Sequence, residues 1–92
     1  SIFIVPMRIG GGTRLKILDA WSYGLPVVST SQGAEGLATS HRRNILIAND
    51  PAAFVDAIVE LHTNEQLRTN IGLGGRHTAE EMYNWSRIGE LM

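Results

Sequence analysis

The sequence predicts an α/β protein, a short parallel sheet with helices on its faces, and three observations carry that prediction. A short continuous apolar run, β-branched and aromatic, occurs at 2–5, as expected of a strand buried on both faces of a parallel sheet, and further short strand-like segments occur at 27–30 and 45–47. The stretches after them carry helical periodicity instead. Glycine, proline and capping residues punctuate the boundaries.

Taken in order, Ile2-Phe3-Ile4-Val5 is the first strand, stopped by Pro6, and Gly10-Gly11-Gly12 is a flexible loop. Thr13 is placed to cap a helix over 14–23. Gly24 stands where a helix C′ residue belongs, and Pro26 prevents continuation. Val27-Val28-Ser29-Thr30 is the second strand, a loop holds Gly33 and Gly36, and Ile45-Leu46-Ile47 is the third. Asn49-Asp50-Pro51 opens a helix over 52–62 with Phe54, Ile58 and Leu61 on one stripe. Asn64 can cap a further helix holding Leu67 and Ile71. Helix resumes over 72–84, its start weakened by Gly72, Gly74 and Gly75. Trp85-Ser86 is a break before a last short helix to Met92. Strand, helix, strand, loop, strand, then helices is the pattern of a doubly wound domain. Three strands are few for such a sheet, so residues 1–92 are expected to be the C-terminal part of one domain, cut at the start of a strand.

Composition narrows the function classes. With 43% hydrophobic and 18% charged residues the chain is ordinary globular protein. A net charge of −1 leaves no electrostatic footprint for nucleic acid. No cysteine is present, which excludes disulfides and thiolate metal sites and fits a reducing compartment. No apolar run approaches the roughly 20 residues that span a bilayer, and residues 1–6 lack the charged region of a signal peptide.

The site candidate is the glycine loop that feeds the first helix. In open parallel sheets ligands bind beyond the carboxyl ends of the strands, where residues 6–16 are expected. Glycines let backbone N–H groups approach an anion, and a helix N-terminus adds about half a positive charge. A phosphate or pyrophosphate suits such a loop; a merely permissive turn suits it equally. At 100° per residue Gly12, Lys16, Asp19 and Tyr23 share a helix face. Lys16 would offer charge to phosphate, and Asp19 would accept hydrogen bonds from ribose hydroxyls. The competing reading is a Lys16–Asp19 surface pair worth about 0.2–0.5 kcal/mol. Gly10-Gly11-Gly12-Thr13-Arg14-Leu15 lacks the third glycine of a dinucleotide fingerprint, and Lys16 does not sit in a P-loop.

Residues 6–20, from Pro6 through Gly10-Gly11-Gly12-Thr13-Arg14-Leu15-Lys16 to Asp19-Ala20, followed by Gly24-Leu25-Pro26-Val27-Val28-Ser29-Thr30, resemble the family-4, group 1 glycosyltransferases. The similarity is to the branch with a Gly-Gly-Gly-Thr-Arg-Leu-Lys loop. Gly33-Ala34-Glu35-Gly36-Leu37, Asp50-Pro51-x-x-Phe54 and Tyr83-x-Trp85-Ser86 agree with the family as well. The resemblance implies a GT-B fold, with this chain a partial Rossmann-like three-layer sandwich from its C-terminal domain. It implies the donor-binding part of a retaining enzyme that transfers sugar from a nucleoside-diphosphate sugar without a metal or other cofactor.

The family's two acidic positions, seven residues apart, fall on Gly11 and Asp19. The first carboxylate is therefore missing, and the second, a ribose contact, is Asp where the family more often has Glu. Backbone N–H groups of Thr13, Arg14 and Leu15 are implied to face the donor phosphates, so the expected donor-binding set is Gly11, Gly12, Thr13, Arg14, Leu15, Lys16 and Asp19. The principal phosphate-binding Arg and Lys, the base-binding residues and the N-terminal acceptor domain are implied to lie upstream, and the fragment alone is expected to be inactive. The parent is expected in the cytoplasm or at the inner membrane face, in polysaccharide biosynthesis. Two alternatives stand beside this reading: a non-catalytic Rossmann-like nucleotide-binding or assembly module, and another GT-B enzyme such as a sugar-nucleotide 2-epimerase.

The remaining candidates are weaker. His41, His62 and His77 lack zinc-ligand spacing. Glu80-Glu81 reads as a solvated helix face because adjacent helical residues diverge by about 100°. Trp21 and Trp85 read as packing residues, and Glu35 as a loop residue near the cleft mouth.

Overall fold

The computed structural model describes residues 2–5 and 12–82, with residues 12–14 and 82 described by backbone alone. The expectations for the glycines at 10 and 11, for Tyr83 and Trp85, and for a last helix to Met92 lie outside the described residues.

Strand pleat sorts the apolar residues onto two faces. β1 (Phe3–Val5), β2 (Val27–Ser29) and β3 (Leu46–Ile47) form one parallel sheet in the order β1-β2-β3, with Phe3 opposite Val27 and Val28 opposite Leu46. Alternation sends Val27, Ile45 and Ile47 toward α1 (Gly12–Ser22), where they pack with Ile17 and Trp21. Val28 and Leu46 point the other way, into a second core with Leu61 of α2 (Pro51–Thr63) and Ile71 of α3 (Glu65–Met82). Helix, sheet, helix is the expected three-layer α/β arrangement, and α3 reaches both cores, through Ile71 on one side and Ala79 on the other.

The strands are slightly shorter than predicted because Ile2 and Thr30 fall outside the ladder and Ile45 makes only an isolated bridge to His41. α1 ends in the predicted way. Gly24, at φ +74°, closes a Schellman motif in which its N–H donates to Trp21 O at 2.9 Å and that of Leu25 to Ala20 O at 3.0 Å. α2 starts as its sequence suggests, with the Asp50 carboxylate accepting from Ala53 N–H at 2.8 Å ahead of Pro51. Phe54 and Ile58 are half-buried against the core that holds Leu61. Asn64 closes α2 and caps α3, its Oδ1 accepting from Leu67 N–H at 3.0 Å. Arg68 then reaches back to the carbonyls of Leu61 and His62 at the end of α2.

Two expectations need correction. Thr13 lies inside α1, which begins at Gly12, so it is not an N-cap; the last glycine of the run takes helical geometry and moves the start forward. The predicted interruption near residue 72 is also absent, for α3 is one helix through Gly72, Gly74 and Gly75. Those glycines are needed for contact. A Cβ at Gly72 would collide with the Gly24 carbonyl, one at Gly74 with the Arg43 carbonyl, and one at Gly75 with the Trp21 indole. Three substitutions of Ala by Gly cost a helix about 0.8–1 kcal/mol each, and here that cost lets α3 approach backbone that a methyl group would hold off.

Candidate functional site

α1 leaves the carboxyl side of β1 and turns different faces to core and solvent. Ile17, Ala20 and Trp21, spaced i, i+3, i+4, are buried against the sheet. Leu15 is 61% exposed, and Lys16, Asp19 and Tyr23 are exposed with it. Because the helix begins at Gly12, the N–H groups of Gly12, Thr13 and Arg14 fall outside its own ladder, whereas that of Leu15 is the first placed to donate within it. Of the seven sequence-derived residues, Gly11 lies outside the described residues. The backbones of Gly12, Thr13 and Arg14 make the first turn, and Leu15, Lys16 and Asp19 line one open depression of about 350 Å³ with Leu18.

Lys16 and Asp19 stand one turn apart, yet the salt bridges among the described residues are Arg42–Glu60, Arg76–Glu80 and His77–Glu81. The Lys16–Asp19 surface pair is therefore not formed. An exposed ammonium, a carboxylate and two leucine side chains border the start of a helix. This combination can meet an anion at one end and hydroxyl donors at the other.

Other features were not legible as sites. A cavity of about 380 Å³ opens at the start of α2 between Thr30, Asn49, Asp50, Pro51, Phe54 and Val55. Asn49 is tied to Ser31 by two hydrogen bonds of 2.9 Å. Arg42, at φ +69°, donates two hydrogen bonds to the Glu60 carboxylate at 3.1 and 2.8 Å. That fork holds the Glu60 carboxyl below its usual range, against a smaller opposing effect of desolvation, and raises the guanidinium in return. The histidines serve the surface. His41 Nδ1 accepts from Ile47 N–H at 2.9 Å, His77 faces Glu81, and His62 is exposed near the end of α2. Glu35 is exposed in the turn after β2, and Glu80 and Glu81 lie on the solvent side of α3. Among the described residues no helix is long and apolar enough to cross a membrane.

Known proteins give this geometry a context. The sequence model of the family described as Glycosyl transferases group 1 matches residues 1–64. The chain is 37% identical over 87 residues to an "Uncharacterized 44.6 kDa protein in cps region" of Klebsiella pneumoniae. That alignment covers 95% of this chain and 22% of the relative, so the chain spans about a fifth of that protein's length. No solved structure matches significantly.

Proposed function

The chain belongs to the group 1 glycosyl transferase family, and from that premise we propose that it forms part of the donor site of a sugar transferase acting on a nucleoside-diphosphate sugar. The observation that carries this reading is the outer face of α1: Lys16 and Asp19 stand unpaired with each other, beside first-turn N–H groups at the carboxyl side of a parallel sheet. The diphosphate lies at the helix start, against the N–H groups of Thr13 and Arg14 and near Leu15 and Lys16, and Asp19 accepts hydrogen bonds from the ribose. In transfer, the bond between the anomeric carbon and the diphosphate oxygen breaks and a new bond forms to an acceptor hydroxyl, which loses its proton. The positive groups of α1 stabilise the charge left on the diphosphate.

Gly11 places no carboxylate at the loop, so the role of that carboxylate near the donor sugar is absent here or filled by another group. Retention of anomeric configuration, independence from metals and the need for an upstream acceptor domain belong to the same proposal. The cps-region setting of the relative supports a place in polysaccharide assembly. Incubating the full-length protein with a panel of nucleoside-diphosphate sugars, with and without chelator, tests the reading. Release of nucleoside diphosphate from at least one donor is expected, undiminished by chelation; no turnover and no binding of any donor would sink it.

A further inference from the structure

The buried side of α1 is fastened by a polar junction at Trp21. Trp21, two residues after Asp19, is fully buried, and its indole Nε1–H donates to the Asn44 carbonyl at 3.0 Å. The Asn44 side chain is committed at both ends. Its Oδ1 accepts from Ser40 N–H at 2.8 Å, while Nδ2 donates to Ala38 O and to Thr78 Oγ1 at 2.9 Å each. Thr78 in turn donates to Gly74 O within α3 at 2.9 Å.

A buried amide whose donors and acceptor are all engaged has one orientation. The Asn44 carbonyl is thereby aimed at Trp21, and the indole is wedged against Gly75 of α3, where a Cβ would collide with it. These contacts fix the rotation of α1 about its own axis. A rotation of about 20° would move a carboxylate about 5 Å from that axis by about 2 Å, enough to break a hydrogen bond.

Resting on the donor reading of α1, we infer that Asn44 is a positioning residue for donor recognition, acting through Trp21 to hold Asp19 toward the ribose. A residue that only supported the fold would lower the melting temperature and leave discrimination at the ribose intact. The positioning role changes the discrimination itself.

The test uses the full-length protein below its melting temperature, titrated calorimetrically with uridine, guanosine and adenosine diphosphates and their 2′,3′-dideoxy counterparts. The wild type is expected to prefer the ribonucleotide at least tenfold for the base it accepts. Trp21→Phe, which keeps an aromatic ring but loses the N–H and part of the indole's volume, and Thr78→Val, which loses the hydroxyl at nearly constant volume, should each reduce the preference to about threefold or less. Thr78→Ser should restore it. Asn44→Ala should erase it, and the two milder variants keep the test decisive if Asn44→Ala does not fold. An undiminished preference in Trp21→Phe and Thr78→Val would overturn the positioning role. A wild type without any ribose preference would instead fail the donor reading, and the inference with it.

Discussion

The two sides of α1 obey different constraints. On the inner side Trp21 touches a sheet, a loop and α3, and its N–H, its ring edge and its volume are all matched by neighbours. On the outer side Leu15, Lys16 and Asp19 are exposed around an open depression, and no described side chain pairs with either charge. Ile17, Ala20 and Trp21 are buried on the first face. The second is largely exposed, and it is there that a ligand has room to act. The helix is thus fixed from behind and open in front.

That contrast can be broken from its inner side first. Gly74→Val should have the largest effect, because its side chain meets the Arg43 carbonyl, a backbone group that cannot rotate away. Loss of cooperative unfolding by circular dichroism is expected, whereas a wild-type melting curve would show that α3 can sit elsewhere. Trp21→Ala empties a fully buried site and should cost about 3–5 kcal/mol, read by urea titration of whatever fraction folds.

The outer side should respond in ligand affinity alone. Lys16→Gln is expected to leave the urea midpoint unchanged and to weaken nucleoside-diphosphate binding about three- to tenfold. The difference should shrink in high salt, as for any exposed charge contact. A shift in the midpoint with no change in affinity would assign Lys16 to the fold.

The smallest effect concerns Glu60, away from both faces. Arg42 lowers its folded-state pKa, so its contribution to stability is present above the unfolded pKa, near about 4.3, and fades as pH falls through the depressed folded value. Glu60→Gln should flatten the acid limb of the melting-temperature profile slightly; a profile identical to wild type would leave the fork without energetic weight.

Sequence alone located the elements because their signals are local. Gly24 with Pro26, Asp50 with Pro51, and Asn64 each declare a helix boundary within a few residues. The outward set on α1 was legible for the same reason, since periodicity separates Ile17 and Trp21 from Lys16 and Asp19. What escaped is long-range. Gly72, Gly74 and Gly75 look like helix breakers until Gly24, Arg43 and Trp21 are seen against them. Asn44 carries no motif, and only the approach of Thr78, 34 residues later, reveals its role. Thr13 misled because a glycine can begin a helix as readily as precede it.

The central claim is that the outer face of α1 reads the ribose of a nucleoside diphosphate. It is tested most directly by calorimetric titration of the full-length protein and its Asp19→Ala variant with that nucleotide. Loss of charge-assisted hydrogen bonds worth about 1.5–3 kcal/mol predicts a ten- to hundredfold weaker Kd, with an unchanged melting temperature. Equal affinity in the two proteins would contradict the assignment.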